Sequence, residues 1–99
     1  MIKHSNAEIK KFLSSIYPTT YTYGSELSTI EILSNTRDKV TFKVERMYDY
    51  VPLNLEILLK LAGFFDTKKI DTDKYSYAGC ATCDFGSSYE IEFTVRPEE

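Results

Sequence analysis

The sequence predicts an α+β domain of element order α-β-β-α-β-β, in which two helices pack on one face of a four-stranded, mostly antiparallel sheet. Three observations carry this. Ile9, Phe12, Leu13 and Ile16 near the start, and Leu55, Leu58, Leu59 and Ala62 in the middle, recur at helical spacing. Each helical stretch is followed by two runs that alternate apolar and polar residues with period two. Neither pair of runs has a helix between its members, so both read as antiparallel hairpins rather than parallel crossovers. With 99 residues the chain has room for one domain, 1–99, and one modest core.

The first helix opens at Ser5 to Glu8, S-N-A-E, a capping box in which hydroxyl and carboxylate serve orphan backbone donors reciprocally. Lys10, Lys11, Ser14 and Ser15 face away from its apolar stripe, and Pro18 stops it. The next segment, T-T-Y-T-Y-G-S, is β-branched and aromatic and is expected to be an ordered loop closed by Gly24. Thr29 to Leu33 reads as a strand with Ile30 and Ile32 on one face, and Ser34 to Asp38 as turn material. Val40, Phe42 and Val44 alternate with Thr41, Lys43 and Glu45, a half-buried strand. The alternation slips after Val44, which predicts a bulge near Arg46.

The central helix is the most apolar stretch of the chain, P-L-N-L-E-I-L-L-K-L-A-G-F-F over 52–65. Pro52 suits a first helical position, and Gly63 suits a left-handed cap at the end. Leu55, Leu58, Leu59 and Ala62 form one stripe, and Ile57, Leu61 and Phe64 a second; Asn54, Glu56 and Lys60 are left for water. With so few polar positions, a core helix lying across the sheet and covered from more than one side is expected, with Leu58 and Leu59 in the core. The alternative is that the second stripe forms a dimer or partner surface. Each fully buried Leu or Phe contributes roughly 1.5–3 kcal/mol, so this helix is expected to supply the largest share of the core.

Lys69 to Ala78 alternates again, with Tyr75 and Tyr77 on the expected inner side. Tyr89, Ile91, Phe93 and Val95 alternate with Glu90, Glu92, Thr94 and Arg96, and Pro97 ends this last strand.

The net charge of −3 is uneven: residues 1–50 carry seven Lys/Arg against six Asp/Glu, and residues 51–99 carry five against nine. Without a basic stripe to neutralise phosphates, nucleic-acid binding is not expected. No run approaches the ~18 apolar residues that read as a membrane span. The N-terminus, M-I-K-H-S-N-A-E, has no basic head followed by an apolar stretch, so a cytoplasmic protein is expected.

Cys80-Ala81-Thr82-Cys83 has a spacing at which two thiolates can grip one metal ion, but a structural zinc site takes four ligands. His4 is the single histidine, so a zinc site would recruit His4 and Asp84, or draw Cys80 and Cys83 twice from a homodimer. A thioredoxin-like role needs a helix after the first cysteine, where D-F-G-S and a strand stand instead. The favoured reading is therefore two reduced, metal-free thiols in a hairpin connection, in which Asp84 and Gly86 suit the turn. Asp66, Asp71 and Asp73 lack the central Gly and terminal Glu of a calcium loop. No acid, base and nucleophile set can be assembled, so an enzyme is not expected and no cofactor is implied.

Eight tyrosines and no tryptophan leave one feature with functional colour. Tyr17, Tyr21, Tyr23, Tyr48 and Tyr50 bracket the first hairpin, and tyrosine is enriched at interfaces because it presents large area at low entropy cost. Tyr21, Tyr23, Tyr48 and Tyr50, with Asp84 and Phe85 of the cysteine loop, are the expected partner-binding residues.

The segment C-A-T-C-D-F-G-S-S-Y-E-I, Cys80 to Ile91, resembles a C-x-x-C-D-aromatic-G-S-x-Y pattern of small uncharacterised bacteriophage-type accessory proteins. The resemblance implies a small protein acting on a host or defence component, as anti-CRISPR inhibitors do, and transfers no catalytic residue. The expected function is thus a non-enzymatic protein-binding module, a phage or mobile-element accessory or inhibitor acting by surface contact. The alternative is a homodimer stabilised by zinc at Cys80 and Cys83.

Overall fold

The computed structural model describes residues 1–17, 28–47, 51–79 and 87–98, with the side chains of 47, 73–79, 87 and 88 excepted. The elements run α1 (Asn6–Ile16), β1 (Ser28–Asn35), β2 (Val40–Met47), α2 (Leu55–Phe65), β3 (Lys69–Gly79) and β4 (Ser87–Arg96). The four strands make one sheet in the order β1-β2-β4-β3, with every neighbouring pair antiparallel. The predicted class and element order hold. The segment over 19–25, expected as a loop, lies outside the described residues.

α1 begins where the capping box places it. The Glu8 N–H donates to the Ser5 hydroxyl at 3.2 Å, and the Ser5 N–H donates to Glu8 Oε1 at 3.1 Å. Ile9 and Leu13 are fully buried, as is the C-cap residue Tyr17, whose hydroxyl donates to the Pro52 carbonyl at 2.6 Å. Tyr17 is therefore a core residue that ties the end of α1 to the entry of α2.

Among the described residues, the buried apolar side chains belong to one cluster between the helices and one face of the sheet. Val40, Phe42 and Val44 from β2 and Ile91, Phe93 and Val95 from β4 form its floor. The register sets Phe42 opposite Phe93, and their rings stack with centroids 4.8 Å apart. Because these are the two central strands, the alternation read most clearly in the sequence marks the most deeply covered part of the sheet.

Two details of the sheet differ from expectation. β2 carries no bulge near Arg46: it pairs without interruption with β4 from Val40 to Met47. The slip in alternation arises because Arg46 takes the inner-face position after Val44, at the end of the strand, with its Nε buried. A long aliphatic stem can cover core there as an apolar residue would. The irregularity lies instead in β1, between Ile32 and Ser34, where Leu33 is the extra residue. A second shift interrupts β3 between Asp71 and Lys74. Both shifted strands are edges, and bulges on edges discourage further pairing. The inner placement expected for Tyr75 and Tyr77 concerns side chains outside those described.

α2 is shifted and rotated relative to expectation. Its N-cap is Asn54, whose side-chain oxygen accepts the Ile57 N–H at 2.9 Å, so Pro52 precedes the helix. Gly63 lies inside the helix, and the left-handed position falls on Asp66, with φ 54° and ψ 52°. Aspartate is one of the few non-glycine residues that adopts this conformation readily. The N–H groups of Asp66 and Thr67 both reach the Ala62 carbonyl, closing the helix end. The rotation is the larger correction. Ile57, Leu61 and Phe65 face the core, while Leu58 is half-buried and Leu59 is exposed. Leu58 and Leu59 are thus not the core residues the first stripe predicts.

Candidate functional site

The outward turn of that first stripe makes the most distinctive surface among the described residues. Leu55 is 70% exposed, Leu59 63% and Leu53 38%. Leu55 and Leu59 stand one helical turn apart on the same line of α2. Beside them a groove of about 200 Å³ runs between α2 and β3, lined by Leu58, Leu59, Ala62, Lys68 and Ile70. Isolated exposed leucines are ordinary, but adjoining ones beside an apolar groove make this the candidate surface. On the other flank Glu56 and Lys60 pair with each other at 3.4 Å.

This surface follows from how α2 is clamped. Its inner line is fixed by Leu61 and Phe65, both with no exposed surface, the latter in contact with the Phe42 ring. Its C-terminal end is held by the N-terminal segment. The Ile2 N–H donates to the Phe65 carbonyl at 2.7 Å, and His4 Nε2 donates to the Phe64 carbonyl at 2.8 Å. The His4 ring stacks on Phe64 at 3.8 Å, and Phe64 stacks on Phe12 of α1 at 4.1 Å. Phe64 is thus spoken for by α1 and the N-terminus, which leaves the leucine line as the face of α2 that nothing among the described residues covers.

His4 accordingly has a structural place. Its Nδ1 lies 3.8 Å from Glu8 Oε2, and its backbone carbonyl accepts from Asn35 Nδ2 at 2.9 Å. The Glu8 carboxyl is held below its ordinary range, chiefly by the hydrogen bond from the Ser5 N–H, with the Ser5 side chain and His4 adding to it. Among the described residues no three His, Cys, Asp or Glu side chains gather closely enough to hold a metal ion.

The outer face of the sheet is polar, with Lys43 set among the carboxylates of Glu31, Glu45 and Glu90. Lys43 lies 3.4 Å from Glu31 and 3.6 Å from Glu90, and these carboxylates, Glu90 foremost, hold its ammonium above the usual lysine range. A neighbouring groove of about 400 Å³ is floored by Ser34, Thr41 and Thr94, aligned across β1, β2 and β4 by the register. Two cations, Lys39 and Arg96, meet Glu92 there, and Arg96 is already engaged with Asp71 at 3.1 Å. With its charges nearly offset, that groove favours neither an anion nor a cation.

Of the residues expected to bind a partner, Tyr21, Tyr23, Tyr48, Tyr50, Asp84 and Phe85 lie outside the described residues, as do Cys80 and Cys83. The leucine surface is what residue-by-residue reading missed, because that reading covers α2 on both stripes and weighs a partner surface only for the second. One signal was present: extending the second stripe to Phe65 gives Ile57, Leu61 and Phe65 at i, i+4 and i+8, a line that ends on one of the chain's largest side chains. No helix among the described residues is long and apolar enough to cross a membrane. Comparisons with protein-family profiles, with curated proteins and with solved structures return no match to this chain.

Proposed function

We propose that this protein is a small non-enzymatic binding module that acts by surface contact, with the outer leucine line of α2 as its contact face. The observation that carries the reading is the exposure of Leu55 and Leu59 on a helix whose other apolar line, Ile57, Leu61 and Phe65, is buried. A chain that could have placed polar residues there at no cost to its core keeps leucines in water, and burying them against a partner recovers that free energy. The resemblance of Cys80 to Ile91 to bacteriophage-type accessory proteins extends the proposal to an accessory or inhibitor role on a host or defence component. A zinc-stabilised homodimer built on Cys80 and Cys83 is the competing reading.

The test compares wild type with a Leu55→Glu, Leu59→Glu variant, both as purified protein and in extract of the native source. Wild type is expected in a larger complex in at least one setting, and the variant is expected to run as the free chain with an unchanged circular dichroism spectrum. Identical sizes for the two proteins in both settings would overturn the contact reading. A complex that dissolves only when a chelator is added would favour zinc instead.

A further inference from the structure

The charge pattern beside the leucines identifies the occupant of this face, an inference that rests on the contact reading above. Successive residues of an α-helix are about 100° apart, so Leu55 and Leu59 lie on one line and Glu56 and Lys60 on a parallel line about 100° round. The second line thus carries one negative and one positive charge a single turn apart, joined by the 3.4 Å contact between them. The opposite flank, toward the groove, is apolar apart from Lys68 at its rim.

We propose that a second copy of this chain covers the leucine line, with the two α2 helices antiparallel about a twofold axis near residue 58. In an antiparallel pair related by a twofold, like flanks face each other and run in opposite directions. Glu56 of each copy then lies beside the partner's Lys60, and two intramolecular pairs merge into a four-charge cluster of alternating sign. Leu55 and Leu59 interleave with the same residues of the second copy, and the groove flanks extend the apolar contact on the far side. Parallel pairing about a twofold would instead set the charged flank of each copy against the largely apolar groove flank of the other. It would leave Glu56 and Lys60 without partners across the interface, so the charges select the antiparallel arrangement. An unrelated partner would need to supply an opposite sequence of charges at the same spacing, whereas this chain supplies it by symmetry.

Sedimentation equilibrium of the purified full chain, in reductant and chelator, tests the proposal. Wild type is expected to move with rising concentration from the 11.4 kDa chain to twice that mass. Leu55→Glu, Leu59→Glu should remain monomeric with its circular dichroism unchanged. Glu56→Lys alone should weaken the dimer about tenfold or more, because it sets lysines against lysines, and Glu56→Lys with Lys60→Glu should restore it to within about threefold of wild type. Because the double reversal also restores the i,i+4 pair within α2, the melting temperature of each variant is measured alongside, and a dimer constant that merely follows that temperature would count against the proposal. A wild type that stays monomeric to millimolar concentration would overturn the second-copy proposal, as would a dimer that survives both leucine substitutions or appears only without chelator. If purified wild type is monomeric yet forms a leucine-dependent complex in extract, the contact reading stands and the second copy falls. If no complex forms in either setting, both fall.

Discussion

The two helices were built from similar material and solve different problems. α1 carries one apolar stripe over a polar back, and its buried residues, Ile9 and Leu13, are those the spacing marks. α2 carries apolar residues around most of its circumference, and the stripe that looks equally good in sequence turns out to face solvent. The difference teaches that amphipathic contrast, not apolar content, makes a helix's orientation legible. Where contrast is weak, the partners decide: the rings of Phe42 and Phe12 and the backbone of the N-terminal segment capture Phe64 and Phe65, and the leucines are left outside.

The sharpest way to break this comparison is within α2 itself. Leu61→Ala should destabilise by about 2–5 kcal/mol, the range for a large-to-small change at a fully buried site, whereas Leu59→Ala should shift stability by no more than about 0.5 kcal/mol. Urea titrations at dilutions where the chain is monomeric measure both. Equal losses at the two positions would mean that α2 is rotated from the orientation described.

The helix starts offer a smaller effect that should be shared. Ser5→Ala and Asn54→Ala each remove a side-chain acceptor from an N-terminal backbone N–H, and each should cost about 0.5–2 kcal/mol in the same titration. A neutral Asn54→Ala would show that α2 starts elsewhere, and a neutral Ser5→Ala that the capping box contributes nothing.

Gly63 tests the opposite sign. It lies inside α2, exposed, and a Cβ built on it meets no atom within 4 Å. Gly63→Ala should therefore raise stability by about 0.4–1 kcal/mol, through better helix propensity and a less flexible unfolded chain. Had Gly63 been the left-handed cap, alanine there would destabilise, so the sign of the change in melting temperature distinguishes the two placements.

The smallest effect is expected from pH, at α1 alone. The folded Glu8 carboxyl titrates below its unfolded value, so the stability it adds is fully present above the usual glutamate pKa of about 4.3 and is lost as pH falls through the lower folded value. Comparing wild type with Glu8→Gln across pH 2–6 should show the gap between their melting temperatures closing on the acid side. A gap that widens toward low pH would contradict the capping-box geometry.

Local chemistry, acting within a few residues, was sufficient for much of this protein. Ser5 with Glu8 placed the start of α1, and the alternation of Val40, Phe42 and Val44 against Ile91, Phe93 and Val95 identified the two central strands before any pairing was known. These were legible because a capping box is closed by neighbours and a half-buried strand writes its two environments onto alternate residues. The order β1-β2-β4-β3, the extra residue at Leu33, the inward Arg46 and the rotation of α2 were decided only in the tertiary structure. Each depends on what lies opposite in space: strand order on which edges meet, the bulge on the register of a partner strand, and α2's orientation on aromatic rings and backbone contributed by α1, β2 and the N-terminus. The candidate site inherits that dependence. Leu55 and Leu59 are indistinguishable by composition from core leucines, and they form a surface because Leu61 and Phe65 occupy the core.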